Sequence, residues 1–195
     1  MAEGAIQILA FVGAPAAGKT AAAAVSKELG IPVITMGDVI RDELRRRGLP
    51  LNDENAGRIA NELREKEGMD AIAKRCIPRI KALRVEGTES EEARKRVVVI
   101  DGIRGMAEVA RFKEEFGTDF TLVRIDAPFD LRYERIKSRG RGDDSLHPEE
   151  FKEREERENR WGMGQAMKKA DKVVKNEGSP EEFKAEIKGL LDIKD

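Results

Sequence analysis

The chain has 195 residues, enough for one domain with a substantial core and small insertions. Its 37 Lys and Arg against 38 Asp and Glu leave a formal net charge of -1, which argues against a general polyanion binder. A single cysteine, Cys76, excludes an intrachain disulfide, and a single histidine, His147, argues against most transition-metal sites and His-assisted nucleophiles.

The start, "MAEGAIQILAFVG", lacks the basic opening and small-residue cleavage pattern of a signal peptide. Its apolar run is too short to span a bilayer, so a cytoplasmic setting is expected. Ile6–Val12 reads as a buried strand, rich in β-branched and aromatic residues. "GAPAAGKT" follows and satisfies G-x-x-x-x-G-K-[ST] with Gly13, Gly18, Lys19 and Thr20. The glycines allow backbone turns that side chains block, so N–H groups along Gly13, Ala14, Pro15, Ala16, Ala17 and Gly18 can converge on phosphate oxygens; proline contributes none. The helix Lys19–Leu29 points its positive end at the same spot. Lys19 is expected on the terminal phosphates of ATP and the Thr20 hydroxyl on Mg²⁺.

A weaker strand, Pro32–Ile34, precedes a stretch from Gly37 to about Arg94 that is nearly all helix, broken at Gly48–Pro50, Gly68 and Gly87. Val97–Ile100 and Phe120–Ile125 read as further buried strands, separated by the helix Arg104–Phe116. Asp101 ends "VVVI", where its carboxylate faces the phosphate crevice or caps the next helix. A helix at Pro128–Ser138 leads into a polar, arginine-laden segment over 139–164, which ends in the helix of "PEEFKEREERENRW". A short strand Lys172–Val174 and the helix Pro180–Leu191 complete the alternation. Strands alternating with helices imply a parallel sheet covered on both faces, with ligands outside the carboxyl ends of the strands.

Several stretches resemble the nucleoside monophosphate kinase group, adenylate kinase especially. "TMGDVIR" is similar to that family's Thr-Gly-Asp-x-x-Arg, which implies acceptor contacts for Thr35, Asp38 and Arg41. "IDGIR" resembles its Asp-Gly-Phe-Pro-Arg without the proline, which implies a second acceptor clamp at Arg104. Glu108 stands four residues on, where adenylate kinases carry a base-reading glutamine, and it reads equally as a plain surface residue. "LRYERIKSRGRGDD" resembles the start of the family's lid, implying that Arg135, Arg139 and Arg141 close over the transferring phosphoryl group. "ADKVVKNEGSPEEF" looks like the strand–loop–helix with which dephospho-CoA kinases approach the adenine of ATP, and places Asn176 at the nucleotide. The whole most resembles an archaeal set of adenylate-kinase-related, dephospho-CoA-kinase-like proteins.

The expectation is therefore a P-loop NTPase fold, three-layer α/β/α with a parallel sheet, in one domain. Its core is 1–36, 95–138 and 165–195, with a helical acceptor-binding insertion at 37–94 and a lid at 139–164. Catalysis falls to Lys19, Arg104, Arg135 and Arg139, and Thr20 and Asp101 hold the metal. The resemblance implies transfer of the γ-phosphoryl of Mg-ATP to a small nucleotide acceptor. A dephospho-CoA-kinase-like hydroxyl acceptor and a P-loop ATPase switch binding a partner, or RNA through "IRDELRRRGL", are the alternatives. Thr35 and Asp38 also fit a helix cap, and Arg154, Arg157 and Arg160 an ordinary charged helix face. "WGMG" (161–164) reads as a hinge or as a nucleotide contact.

Overall fold

The structure, a computed structural model, describes residues 6–85, 96–139 and 147–191. Five described strands form one parallel sheet: β1 (Ile6–Val12), β2 (Val33–Thr35), β3 (Arg96–Asp101), β4 (Phe120–Asp126) and β5 (Lys172–Lys175), in the order β2-β3-β1-β4-β5. β1 is central. The chain goes to one side of it for β2 and β3 and to the other for β4 and β5, so a crevice opens beyond its carboxyl end.

Strand alternation divides the core into two layers. Ile6, Ile8, Ala10 and Val12 of β1 join Val98, Ile100 and Leu122 on one face, while Leu9 and Phe11 join Val99, Val123 and Ile125 on the other. The second face is covered by α1 (Lys19–Glu28) and α9 (Pro180–Leu191), through Ala22, Val25, Phe183 and Ile187. Small side chains explain the first of these: Ala22 and Ala23 are buried, which lets α1 lie close on the strands.

The first face carries more. α2 (Met36–Arg46), α3 (Asp53–Glu67) and α4 (Ala71–Val85) fill the long helical stretch, and α5 (Met106–Phe116) follows β3. Val39, Leu44, Ile59, Leu63, Cys76 and Ile80 from the first three belong to the same cluster as the strand residues. These helices therefore share the main core rather than forming a core of their own. Asn52 caps α3 by accepting from the Asn55 N–H at 2.9 Å, and Gly68 ends it at φ +98°.

Two helices that follow β4 pack on each other. α6 (Phe129–Arg139) and α7 (Pro148–Arg160) are joined by Phe129, Tyr133 and the fully buried Phe151, with Phe129 and Phe151 centroids 5.3 Å apart. The six-residue α8 (Met163–Lys168) has no counterpart in the sequence expectation; Met163 and Ala166 bury it against the first face. Among the described residues no helix is long and apolar enough to cross a membrane.

Cys76 tests this packing. It is fully buried, and burial pushes its thiol up to about 12. In native protein at pH 8 the thiol should resist an aromatic disulfide reagent for hours, and it should react within minutes once denaturant crosses the unfolding midpoint. Rapid reaction in the absence of denaturant would contradict the buried α4 face.

Candidate functional site

The phosphate loop runs from the end of β1 into α1, and two glycines fix its path. A Cβ on Gly13 would overlap the Ile125 carbonyl oxygen, and one on Gly18, at φ +116°, would overlap the Asn176 side-chain amide. Ala16 is held in the left-handed region at φ +61°, which costs an alanine roughly 1–2 kcal/mol. The Lys19 ammonium donates to the carbonyls of Gly13 at 2.6 Å and Ala14 at 2.9 Å, arching over the loop that precedes it. Gly13, Ala14, Pro15 and Ala17 are buried, whereas Thr20 stands exposed on the first turn of α1.

Asp101, at the tip of β3, pairs in register with Phe11 of β1 and Thr35 of β2. Burial raises its carboxyl above the usual carboxylate range, against the opposing fields of Lys19, Arg104, Lys27 and Arg41. The strand tip therefore lies in the positive field of α1, α2 and the turn after β3. Asp101 and the Thr20 hydroxyl are hard oxygen donors suited to Mg²⁺. No group of three or more metal-ligating side chains exists among the described residues. Magnesium does not need one, since it keeps several waters and takes one or two protein ligands beside phosphate.

Downstream of β3 the structure departs from expectation. Glu108 is 2% exposed, so it is not a plain surface residue, and both its carboxylate oxygens are engaged within the protein. Its Oε2 accepts from the Arg104 backbone N–H at 2.8 Å, the reach-back of an acidic residue in a first helical turn. Its Oε1 accepts from Arg64 of α3 at 3.3 Å, and burial pushes its pKa up while Arg64 pulls it down. Arg64 in turn lies over the Trp161 ring, 5.0 Å from the centroid. Gly105 packs so closely on the Trp161 carbonyl that a Cβ there would overlap it. The 161–164 segment is thus a docking turn between α7, α3 and the start of α5. Arg104, 40% exposed, is tied on one edge by the buried Glu158 of α7 at 2.5 Å.

On α2, Thr35 occupies the N-cap position, but its side chain makes no cap hydrogen bond. Asp38 instead accepts from Arg41 at 2.6 and 2.9 Å, and both side chains remain nearly half exposed. The basic stretch that follows is internally neutralised: Arg45 pairs with Asp42, Arg46 with Glu43, and Arg47 with both Glu43 and Glu62. Arg46, then Arg47, holds the Glu43 carboxyl down at about 2.

α6 brings a residue the sequence reading passed over. Arg132 is 5% exposed and donates to the Ala127 and Pro15 carbonyls and to Glu155 of α7. Arg135 donates to the backbone oxygen of Asn176 at 2.9 Å and to its Oδ1 at 3.0 Å, with its pKa lowered by burial. Asn176 donates its amide to the Ala17 carbonyl at 2.9 Å and its N–H to the Asp126 carbonyl at 2.7 Å. The two residues expected at the nucleotide therefore brace the back of the loop, Asn176 directly and Arg135 through Asn176. The Arg139, Arg154 and Arg157 side chains and the whole of Arg141 lie outside the described residues. Arg160 is exposed, and His147 occupies the N-cap position of α7.

Comparison with known proteins bears on the family and the fold. An AAA domain family model matches residues 12–152. A UPF0200/UPF0201 protein of Archaeoglobus fulgidus is 54% identical over 95% of this chain, which spans only 55% of that relative. A UPF0200 protein of Methanoculleus marisnigri is 50% identical over 95% of this chain and 96% of its own length. Among solved structures, a shikimate kinase from Bacteroides thetaiotaomicron superposes with a TM-score of 0.62 at 15% identity, covering 97% of this chain and all of its own. A dephospho-CoA kinase from Campylobacter jejuni gives 0.58 at 18%, covering 94% of each chain. The fold is that of P-loop kinases.

The crowding at Gly18 predicts that Gly18→Ala costs about 2 kcal/mol or more, the size of a forced left-handed alanine plus a displaced amide. A denaturant midpoint unchanged from wild type would contradict that packing. Acid titration offers a second check. Because the folded Glu43 pKa is depressed, its stabilisation is complete above the ordinary value of 4.5 and is lost as pH falls toward about 2. Glu43→Gln should be less stable at neutral pH and should lose less stability across that window. Parallel acid curves for the two proteins would refute it.

Proposed function

This chain belongs to the UPF0200 family and carries an AAA domain, and we propose that it is an ATP-dependent phosphotransferase delivering the γ-phosphoryl of Mg-ATP to a small acceptor bearing a phosphate, most simply a nucleoside monophosphate. The observation that carries this reading is the phosphate loop itself, with Lys19 arched over the Gly13 and Ala14 carbonyls and Asp101 at the tip of the adjacent strand β3. Phosphoryl transfer asks for positioning and for positive charge around the equatorial oxygens more than for covalent chemistry.

In this reading the loop N–H groups and Lys19 hold the donor phosphates from one side. Lys19 would leave its carbonyl partners for the terminal phosphate, a charge-assisted exchange. Thr20 and Asp101 would hold Mg²⁺, which supplies charge neutralisation on the phosphate oxygens. Arg41 and the free edge of Arg104 grip the acceptor phosphate from the insertion side. We assign α2, α3 and α4 to the acceptor and 139–164 to the lid. Burial of Glu108 removes it as a base reader, so discrimination among bases falls to other groups.

The alternatives fare less well. A hydroxyl acceptor needs a general base, and the nearby candidate, Asp38, is engaged by Arg41. A switch reading RNA through the basic stretch finds little net positive charge there, since Asp42, Glu43 and Glu62 offset Arg45, Arg46 and Arg47.

A transfer assay with γ-labelled ATP and Mg²⁺ against AMP, CMP, GMP, UMP, dTMP and dephospho-CoA tests the proposal. Label should appear on a monophosphate and vanish in Lys19→Ala. Arg41→Ala should raise the acceptor KM about tenfold or more, as for loss of a charged hydrogen bond, with ATP affinity nearly unchanged. Label released only as free phosphate, or found only on dephospho-CoA, would overturn the acceptor assignment.

A further inference from the structure

Arg132 has no place in the mechanism above, yet its guanidinium is buried against the phosphate loop. Its three nitrogens are each engaged: Nε donates to the Ala127 carbonyl at 3.0 Å, Nη1 to the Pro15 carbonyl at 3.2 Å, and Nη2 to Glu155 at 3.0 Å. It also lies 5.5 Å from the ring centroids of Phe129 and Phe151, which fix its plane. We propose that Arg132 is a positioning residue for phosphate binding, acting through the Pro15–Ala16 peptide; this rests on reading the loop as a nucleotide phosphate cradle.

The reasoning is geometric. The described peptides are all trans, and a planar trans peptide sets its carbonyl and its N–H in opposite directions. Holding the Pro15 oxygen toward Arg132 therefore turns the Ala16 N–H away from it, to the side that a phosphate oxygen takes in this proposal. Ala16 is the described non-glycine residue at positive φ. Relief of that strain would rotate the same peptide, because its orientation follows ψ of Pro15 and φ of Ala16 together. The charge-assisted bond from Arg132 opposes the rotation. Lysine cannot replace this fork, since one ammonium does not span Ala127, Pro15 and Glu155 with fixed geometry.

Glu155 gives the arrangement a second consequence. It lies on α7, three residues before Glu158, so the two carboxylates share a helix face. One steadies the arginine behind the donor loop, and the other holds Arg104 on the acceptor side. Docking of α7 thereby bears on the conformation of the phosphate loop itself.

The test is a titration of a fluorescent ADP analogue with Mg²⁺ into wild type, Arg132→Lys, Ala16→Gly, the double variant and Glu155→Gln, with a thermal melt of each. Wild type should bind. Arg132→Lys should bind about tenfold or more weakly than wild type and Glu155→Gln about threefold. Measured against Ala16→Gly, whatever the affinity of that variant, the double variant should lose about twofold or less, because glycine adopts positive φ without strain and leaves the Arg132 restraint little to oppose. Should Arg132→Lys melt below the assay temperature, Glu155→Gln with and without Ala16→Gly decides by the same signs.

Wild-type binding with no effect of Arg132→Lys, or an equal penalty in the Ala16→Gly background, would overturn the proposal. The second result would mark Arg132 as a general structural or charge contribution. Failure of wild type to bind would instead overturn the cradle reading, and the proposal with it.

Discussion

Close approach of backbone to backbone at the end of β1 is the constraint on which the site depends. Gly13 lies where a methyl group would meet β4, and Gly18 where it would meet the residue after β5. The loop is thereby fitted between neighbouring elements, which is why its unusual torsions persist. A parallel sheet with β1 at its centre supplies that fit, because the ends of β3 and β4 flank the loop on opposite sides. The nearly continuous apolar run of β1 keeps both faces buried, so the loop grows from a strand with little freedom to shift.

Around this frame, charge is organised by pairing. Glu43, Glu108 and Glu158 are buried and each meets arginine, as desolvated carboxylates must. The result divides the arginines into two kinds. Arg64 and Arg132 are inside the structure, whereas Arg41 and Arg104 keep substantial exposure and present a partly open edge. Only the second kind can meet a ligand without local rearrangement. A near-zero net charge is the natural outcome for a protein that uses much of its positive charge internally.

What could be read from the sequence follows from locality. Each strand was visible because short apolar runs and β-branching act over a few residues, and the phosphate loop because its glycines and lysine lie within one eight-residue stretch. Glu108 also carried a local signal, an acidic residue in the first turn of a helix, and resemblance to a base-reading position obscured it. Arg132 carried none. Its partners Pro15 and Glu155 are 117 and 23 residues away, so only the folded chain brings them together. Trp161 is similar, since nothing near "WGMG" announces an arginine from α3. The short α8 escaped because six residues with an internal glycine give too little periodicity to separate from a loop.

The helices after β2 and the helix α7 differ in how they can contribute to any cycle of closure. α2, α3 and α4 bury Val39, Leu44, Ile59, Leu63 and Ile80 in the same core as the sheet, so a large movement of all three would expose apolar surface. Among the described residues α7 is attached by Phe151 against α6, by two carboxylates on arginines, and by the Trp161 turn against Gly105. Such attachments are directional and can be exchanged for ligand contacts at smaller cost than a core. A phosphate drawing Arg104 away from Glu158 would loosen the same helix that steadies Arg132. In the proposed reading the acceptor and donor sides would be linked through α7 in this way, with the sheet as the fixed reference for both.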